Sequence, residues 1–258
     1  MRQFASFLAL VAAAVTAVCA PAEARALKLV EATGFLGVCA HPNALPFSSR
    51  SETPPGFQLE LGQAIADQMH LRMQPDWVIT AYQIPRAECD LIMDVIADNE
   101  AQSGNGLKFS KPYYRNGAAL LVPKDSKIDG FAALNGSTKV GVPVGSVTAM
   151  LLDQRGVKIS IFGFEEDMIN AVASGEVAAA AVTPVFAGWY LKNHPDLNVK
   201  LLPVNDDEPR FSWNVSVGMR KSDPPMREAV DAAIAKLAAD GTIARIYASY
   251  GITLPPPR

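Results

Sequence analysis

Apolar and polar positions follow one another along the chain in a way that predicts strands and helices in turn. Short apolar runs at residues 36–40 and 90–96 predict buried strands. Between them lies a stretch whose apolar residues recur at helical spacing, namely Leu61, Ala64, Ile65 and Met69. Strand, helix and strand in this order predict a parallel α/β sheet.

The pattern then repeats, which predicts a second α/β unit. After an apolar strand at 118–122, the predicted strands of this unit are 139–142, 158–162 and 177–182, and its predicted helices begin at Thr148, Glu165 and Val185. A strand at 213–219 follows. Asp223, which precedes two prolines, predicts the start of a last amphipathic helix.

This order predicts that the chain passes twice between the two units, and we call these passages the crossings. If the strands 119–122 and 215–218 make the crossings, the chain forms two lobes. Lobe 1 then comprises residues 25–122 and 218–258, and lobe 2 comprises residues 123–217. Because ligands of open α/β sheets bind beyond the carboxyl ends of the strands, we expect a site in the cleft between the lobes.

The first 24 residues have the pattern of a cleavable secretory signal. Arg2 gives a positive start, residues 4–18 are an apolar run, and Ala22 and Ala24 offer small side chains at the cleavage positions. The run is shorter than the roughly 20 residues that span a bilayer, so a retained membrane anchor is the weaker alternative. We therefore expect a mature chain of residues 25–258 in the periplasm, without a membrane span.

Composition excludes several kinds of protein. With 258 residues, 49% hydrophobic content and a net charge of −3, the chain can form a folded core and is too weakly charged to bind nucleic acid through its phosphates. Its three histidines are scattered and match no metal-ligand spacing. Cys39 and Cys89 remain after signal removal. An even number of cysteines in an exported protein favours a disulfide, and two buried thiols are the alternative.

Six segments, taken in order, carry a family resemblance. They are LGVCAHPNALPFS, GFQLELGQAIA, CDLIMDV, FSKPYY, VGVPVGS and AADGTIARIYASYGI. This order resembles the periplasmic solute-binding proteins of family 3, the amino-acid-binding type. The resemblance implies a periplasmic binding protein type II fold, in which two α/β lobes are joined by a two-strand hinge and enclose a cleft. We expect a monomer.

The residues that grip a free amino acid in that family are missing here. Family members hold the ligand carboxylate with a threonine and an arginine shortly before FS-x-PY, and those positions are Glu100 and Ser103. Members hold the ammonium with an aspartate where this chain has Thr183, and Ala178 replaces a further motif aspartate. Neither end of a zwitterion would find charge-assisted hydrogen bonds, so we expect the guest not to be a free amino acid.

One branch of the family matches more closely. The strings VCAHPNALPFS, ECDLIMDV and TPVFAGWY resemble the J proteins of bacterial methanol-oxidation clusters, and both cysteines fall at matching places. The resemblance implies an accessory protein of the quinoprotein (PQQ) methanol dehydrogenase, of the calcium or the lanthanide type, and of its cytochrome. Asp94 and His41 depart from the glycine and the acid expected at those places.

Ten residues are candidates for the wall of the cleft. They are Asn43, Pro46, Phe47, Asp94, Phe109, Tyr113, Tyr114, Ser146, Thr183 and Trp189. Tyrosine suits such a wall because its ring packs while its hydroxyl stays in water. Alternatives remain for most of the ten. The loop with Asn43 and Pro46 also fits a plain turn, and Ser146 also fits a plain helix N-cap. A core position is the alternative for the aromatic residues Phe47, Phe109, Tyr113, Tyr114 and Trp189.

Three classes of function follow. The first is a non-catalytic partner protein whose cleft holds a segment of the methanol dehydrogenase during maturation. The second is a receptor that hands a small non-amino-acid solute to an ABC transporter. The third is an enzyme, and it is the weakest because no paired carboxylates, activated nucleophile or cofactor loop stands out. We expect no catalysis, no cofactor and no metal.

Overall fold

A computed structural model of the chain describes residues 26–51, 53–97, 107–204, 209–220, 222–253 and 255–258. The strands are β1 (Phe35–Ala40), β2 (Asn43–Ala44), β3 (Ser48–Ser49), β4 (Arg72–Trp77), β5 (Leu91–Ile96), β6 (Leu107–Phe109), β7 (Tyr114–Gly117), β8 (Ala119–Pro123), β9 (Lys139–Pro143), β10 (Lys158–Phe162), β11 (Ala179–Val182), β12 (Val199–Leu201) and β13 (Ser212–Arg220).

The helices are α1 (Leu27–Thr33), α2 (Phe57–Gln68), α3 (Val147–Gln154), α4 (Glu165–Ala173), α5 (Pro184–Asn193), α6 (Pro224–Ala239) and α7 (Thr242–Ser249), with short 3-10 helices at Ala81–Arg86, Phe131–Ala133 and Pro209–Phe211. Over the part of the chain that the structure describes, none of these helices is long and apolar enough to cross a membrane.

Two sheets organise these elements into two lobes. Sheet 1 has the strand order β4, β1, β5, β13 and β6, and β7 also pairs with β13. Sheet 2 has the order β10, β9, β11, β8 and β12. Within each sheet the first three strands are parallel and the remaining pairings are antiparallel. The predicted two-lobed α/β fold is confirmed.

Most predicted elements form where the apolar pattern placed them, because each has one face to bury. α2 buries Leu61 and Ile65 against sheet 1. Strand β10 has the predicted bounds, and helix α4 begins at Glu165 as predicted. Asp223 caps α6 as predicted, since its carboxylate accepts a hydrogen bond of 3.0 Å from the Met226 backbone N–H.

The hydrophobic core clusters follow the two sheets. One core cluster lies between sheet 1 and helices α2, α6 and α7. In lobe 2, alternate residues of β8 point to opposite faces, so that Leu120 belongs to one core cluster and Leu121 to another. Sheet 2 is therefore covered on both faces, as expected for a sheet with parallel strands joined by helices.

The change of sheet falls at different residues from those predicted. The strand 119–123 was assigned mainly to lobe 1, but β8 pairs wholly within sheet 2. Residues 212–217 were assigned to lobe 2, but all of β13 pairs within sheet 1. Apolar periodicity identifies both strands as buried and says nothing about which sheet they join, because that depends on their hydrogen-bond partners.

The first crossing requires glycine. Gly117 ends β7, and a Cβ at this position would collide with the Phe211 carbonyl oxygen and approach Ser212 Cα to 2.9 Å. The outgoing and returning chains therefore touch backbone to backbone at the hinge.

Helix α5 of lobe 2 also packs onto lobe 1. Val185 is fully buried in the lobe 1 core, and the Trp189 ring lies 5.6 Å from the ring of Tyr250. Gly188 contacts Gly251 so closely that a Cβ would meet the Gly251 carbonyl oxygen.

Cys39 and Cys89 form a disulfide, as predicted. Cys39 lies in β1 and Cys89 precedes β5, and their Cα atoms are 5.3 Å apart. This separation is within the usual range for a disulfide. The bond ties together two neighbouring strands of sheet 1.

Candidate functional site

Residues that follow β1 in sheet 1 and β10 and β11 in sheet 2 meet around one cavity, which we call the cleft cavity. A cavity of about 730 Å³ lies elsewhere, between α5 and residues 201–204 and 251–255. The cleft cavity has a volume of about 640 Å³ and is lined by Phe47, Gly163, Phe164, Glu165, Glu166, Asp167, Thr183 and Phe186. Phe47 belongs to the loop after β1, and the other residues follow β10 and β11. This is the position that the strand order predicts for a ligand site.

Asp94 is the centre of a polar cluster in lobe 1. Its Oδ1 accepts hydrogen bonds from the hydroxyls of Tyr113 at 2.8 Å, Tyr114 at 2.9 Å and Tyr247 at 3.1 Å. Its Oδ2 accepts one from Gln58 Nε2 at 2.6 Å. The Asp94 backbone N–H also donates to the Tyr113 hydroxyl oxygen at 3.1 Å. We call these five residues the Asp94 cluster.

Burial sets the titration behaviour of the Asp94 cluster. Loss of water raises the pKa of the Asp94 carboxyl, although hydrogen bonds from Gln58 and the three tyrosines act to lower it. Burial and then the charge of Asp94 raise the pKa of the Tyr113, Tyr114 and Tyr247 hydroxyls well above its ordinary value. The tyrosines therefore remain protonated donors.

An aromatic chain connects the Asp94 cluster with the cleft cavity. The Phe47 ring, which lines the cavity, lies 5.2 Å from the Phe57 ring. Phe57 lies 4.7 Å from Tyr247, and Tyr247 lies 5.2 Å from Tyr114. Ring pairs at such distances pack favourably, so the wall of the cavity and the Asp94 cluster form one continuous layer.

Glu165 supplies a carboxylate beside Thr183. Glu165 Oε2 accepts two hydrogen bonds of 3.0 Å, from the backbone N–H and from the hydroxyl of Thr183. Burial raises the pKa of the Glu165 carboxyl, and the two bonds from Thr183 act in the opposite direction. A carboxylate from the neighbouring helix α4 therefore lies beside position 183.

Acids and aromatic rings dominate the wall of the cleft cavity. Glu165, Glu166 and Asp167 form the first turn of α4, and Phe47, Phe164 and Phe186 provide three rings. None of the described residues that line this cavity is lysine, arginine or histidine. Carboxylates near phenyl faces are an arrangement that favours organic cations.

Large apolar side chains are exposed at or beyond the carboxyl ends of several strands. In lobe 2 they follow β9 or lie at the end of β10, namely Val144, Val147, Met150, Ile161 and Phe164, and we call these five the lobe 2 rim. In lobe 1, Ile79 follows β4 and Ile96 ends β5. Phe164 is 75% exposed and Val144 66%. Such a concentration on a folded protein marks an interaction surface.

The structure separates the ten predicted wall residues into groups. Asp94, Tyr113 and Tyr114 come together in the Asp94 cluster, and Phe47 and Thr183 line the cleft cavity. The expectation that these residues form the wall of a ligand site stays a prediction.

The other five predicted residues lie outside both groups. Ser146 caps α3, because its Oγ accepts from the Ala149 backbone N–H at 3.0 Å. Trp189 packs against Tyr250, and Phe109 pairs with Gly218 across the strands. Asn43 is exposed in β2. Pro46 is buried, and the peptide bond that precedes it is cis.

Several residues of interest escaped the sequence analysis. Gln58 and Tyr247 join the Asp94 cluster, and Glu165 joins Thr183. The one signal in the sequence was Asp94 itself, since an acid in an apolar strand needs partners. The predicted clamp positions Glu100 and Ser103 and the predicted signal at residues 1–24 lie outside the described residues.

Comparisons with known proteins show which family the chain matches. The family model of bacterial extracellular solute-binding proteins, family 3, matches residues 36–253. A probable histidine-binding protein of Neisseria gonorrhoeae is 25% identical over 76% of this chain and 74% of its own length.

Solved structures share the fold. An ancestral cationic amino acid solute-binding protein has a TM-score of 0.71 at 24% identity, with 87% of this chain and 98% of that chain covered. MxaJ from Methlophaga aminisulfidivorans MPT has a TM-score of 0.66 at 20% identity, with 85% and 99% covered.

Proposed function

The chain belongs to family 3 of the bacterial extracellular solute-binding proteins, and from this premise we propose that it is a non-catalytic periplasmic binding protein whose cleft receives a segment of a partner protein. The partner that we propose is the quinoprotein methanol dehydrogenase, with its cytochrome as a further contact. The strings VCAHPNALPFS, ECDLIMDV and TPVFAGWY support this choice of partner through their resemblance to the J proteins.

The exposed apolar edge carries the proposal. The lobe 2 rim lies at or beyond the ends of β9 and β10, Ile79 and Ile96 lie at the carboxyl ends of β4 and β5, and Phe164 of the rim also lines the cleft cavity. A small polar solute that is enclosed between two lobes would have no contact with such a rim. A polypeptide that lies across the cleft would bury it, at about 25 cal/mol for each Å² removed from water.

Binding to the dehydrogenase tests the proposal. Mature protein (residues 25–258) is titrated by calorimetry against purified apo and holo methanol dehydrogenase. We expect binding that is tighter to the apo form, as maturation requires. Absence of heat with both forms would refute the partnership.

A matched pair of variants tests the surface. Met150 is 52% exposed in the lobe 2 rim, and Leu29 is 51% exposed on α1, away from it. Met150→Glu should weaken binding at least tenfold, which is about 1.4 kcal/mol. Leu29→Glu should leave the affinity unchanged, and equal losses for the two variants would contradict this use of the rim.

A second candidate function is a receptor that delivers a small solute to an ABC transporter. The acidic and aromatic wall of the cleft cavity favours a cationic solute, and the histidine-binding relative is named for a ligand that carries a titratable cation. A thermal-shift screen with arginine, histidine, lysine, choline and neutral solutes tests it. A saturable rise in Tm with one cation, because ligand binds only the folded state, would support the receptor. If none of these solutes raises Tm, the receptor function is contradicted and the partner-protein function is retained.

A further inference from the structure

We propose that Asp94 is an intramolecular ligand. Lobe 1 contains a site that is built to hold a carboxylate, the chain's own Asp94 fills this site, and free carboxylates are thereby excluded from it. The biological meaning of this exclusion rests on the proposed function, because a cleft that receives a polypeptide must not be occupied by small acids. The physical statement can be tested without the partner.

The donors come from distant parts of the chain and converge on one group. Gln58 lies on α2, Tyr113 and Tyr114 lie at the start of β7, and Tyr247 lies on α7. Tyr247 is separated from Asp94 by 153 positions and still donates to it at 3.1 Å. Tyr114 and Tyr247 are fixed by their burial, at 2% and 0% exposed, and by each other at a ring distance of 5.2 Å.

The hydrogen bonds occupy most of what a carboxylate can accept. An ionised carboxylate has roughly four lone-pair sites. In the Asp94 cluster three hydroxyls converge on Oδ1 and the Gln58 amide donates to Oδ2. A second carboxylate would compete with Asp94 for these same donors and would meet a like charge.

The site lies at the edge of sheet 1 that faces the cleft. Ile92 of β5 pairs with Cys39 of β1, and Asp94 follows Ile92 by two residues, beyond the level at which β1 ends at Ala40. Asp94 as a residue is half-buried, so one side of it reaches the surface. Removal of the side chain would leave its volume empty next to the donors.

The backbone at position 94 permits this removal. Asp94 has a φ of 57°, in the left-handed region that glycine adopts without cost. Asp94→Gly therefore removes the CH2–COO⁻ group without strain. The group removed has the same heavy atoms as an acetate ion, so acetate is the matched probe.

Chemical rescue is the decisive experiment. The Tm of Asp94→Gly in full-length mature protein is followed against sodium acetate, with sodium chloride at the same ionic strength as reference. We expect Tm to rise with acetate and to saturate, while chloride has no such effect and wild-type protein responds equally to both salts. An equal response of Asp94→Gly to the two salts overturns the proposal.

Asp94→Asn is the control variant. It keeps the side-chain volume and fills the site, so acetate should not raise its Tm. An acetate effect of equal size in Asp94→Asn would place the ion elsewhere and refute the assignment. If Asp94→Gly folds only with acetate, the yield of refolded protein is measured in place of Tm. A yield that depends on acetate supports the proposal. Failure to fold in either salt overturns it, because a built carboxylate site should accept the free ion.

Different acids then define the site. Formate and glycine replace acetate in the same assay, and a free amino acid that raises Tm would show that the Asp94 side chain excludes amino acids. Because none of these measurements uses the dehydrogenase, their failure is separate from failure of the proposed partnership.

Discussion

Tyr247→Phe tests the most unusual part of the structure, a carboxylate held by three tyrosine hydroxyls. Tyr247 is fully buried, and its hydroxyl donates to Asp94 Oδ1 at 3.1 Å. Phenylalanine keeps the ring, which lies 4.7 Å from Phe57, and removes only the donor. A hydrogen bond to a charged group contributes roughly 1.5–3 kcal/mol, so we expect a loss of that size in the free energy of unfolding.

The expected loss is large enough for routine calorimetry. At about 2–4 °C for each kcal/mol in a protein of this size, the Tm should fall by about 3–12 °C. Tyr190→Phe is the matched control, because the Tyr190 hydroxyl lies at 3.4 Å from Asn170 and 3.5 Å from Glu166 on the surface. Its loss should stay within about 0.5 kcal/mol.

The loss should also depend on pH, with a sign fixed by the Asp94 carboxyl. Burial raises its pKa above the ordinary value of 3.8, so the wild-type protein loses stability as pH rises through the folded-state pKa. Tyr247→Phe removes a bond that lowers this pKa, so the folded-state pKa of the variant is higher and its loss of stability continues to a higher pH. The penalty should be smallest below the folded-state pKa of the wild type and full above the higher folded-state pKa of the variant. A loss no larger than that of Tyr190→Phe, or one independent of pH, would refute the reasoning.

Two further predictions concern the disulfide and the wall of the cleft cavity. The Cys39–Cys89 bond closes a separation of 50 residues, so Cys39→Ala with Cys89→Ala should lower the free energy of unfolding by about 4 kcal/mol in denaturant titration, and a reductant should then have no further effect. Glu165→Gln should lose less stability than wild type as pH rises above 4.5, because burial raises the Glu165 pKa and the ionised form is the costly one. Parallel stability curves for Glu165→Gln and wild type would contradict this.

The sequence alone determined the elements and their type. Apolar spacing placed α2, β10 and α4, and the acid and prolines at 223–225 placed the start of α6. The two cysteines that remain after removal of the predicted secretory signal indicated the disulfide, which the structure contains. These inferences succeed because helix periodicity, strand alternation and capping depend on residues that are neighbours in the chain.

Only the tertiary structure decided which groups meet. The sequence showed an acid at position 94 without partners, and packing supplied Gln58, 36 positions away, and Tyr247, 153 positions away. It likewise showed Thr183 in place of an acid, and packing brought Glu165 to within 3.0 Å of it. No local pattern encodes such contacts, because they arise when separate helices and strands dock. Burial then sets the free energy that each ionised carboxylate costs the fold, and it determines which groups that carboxylate can bind.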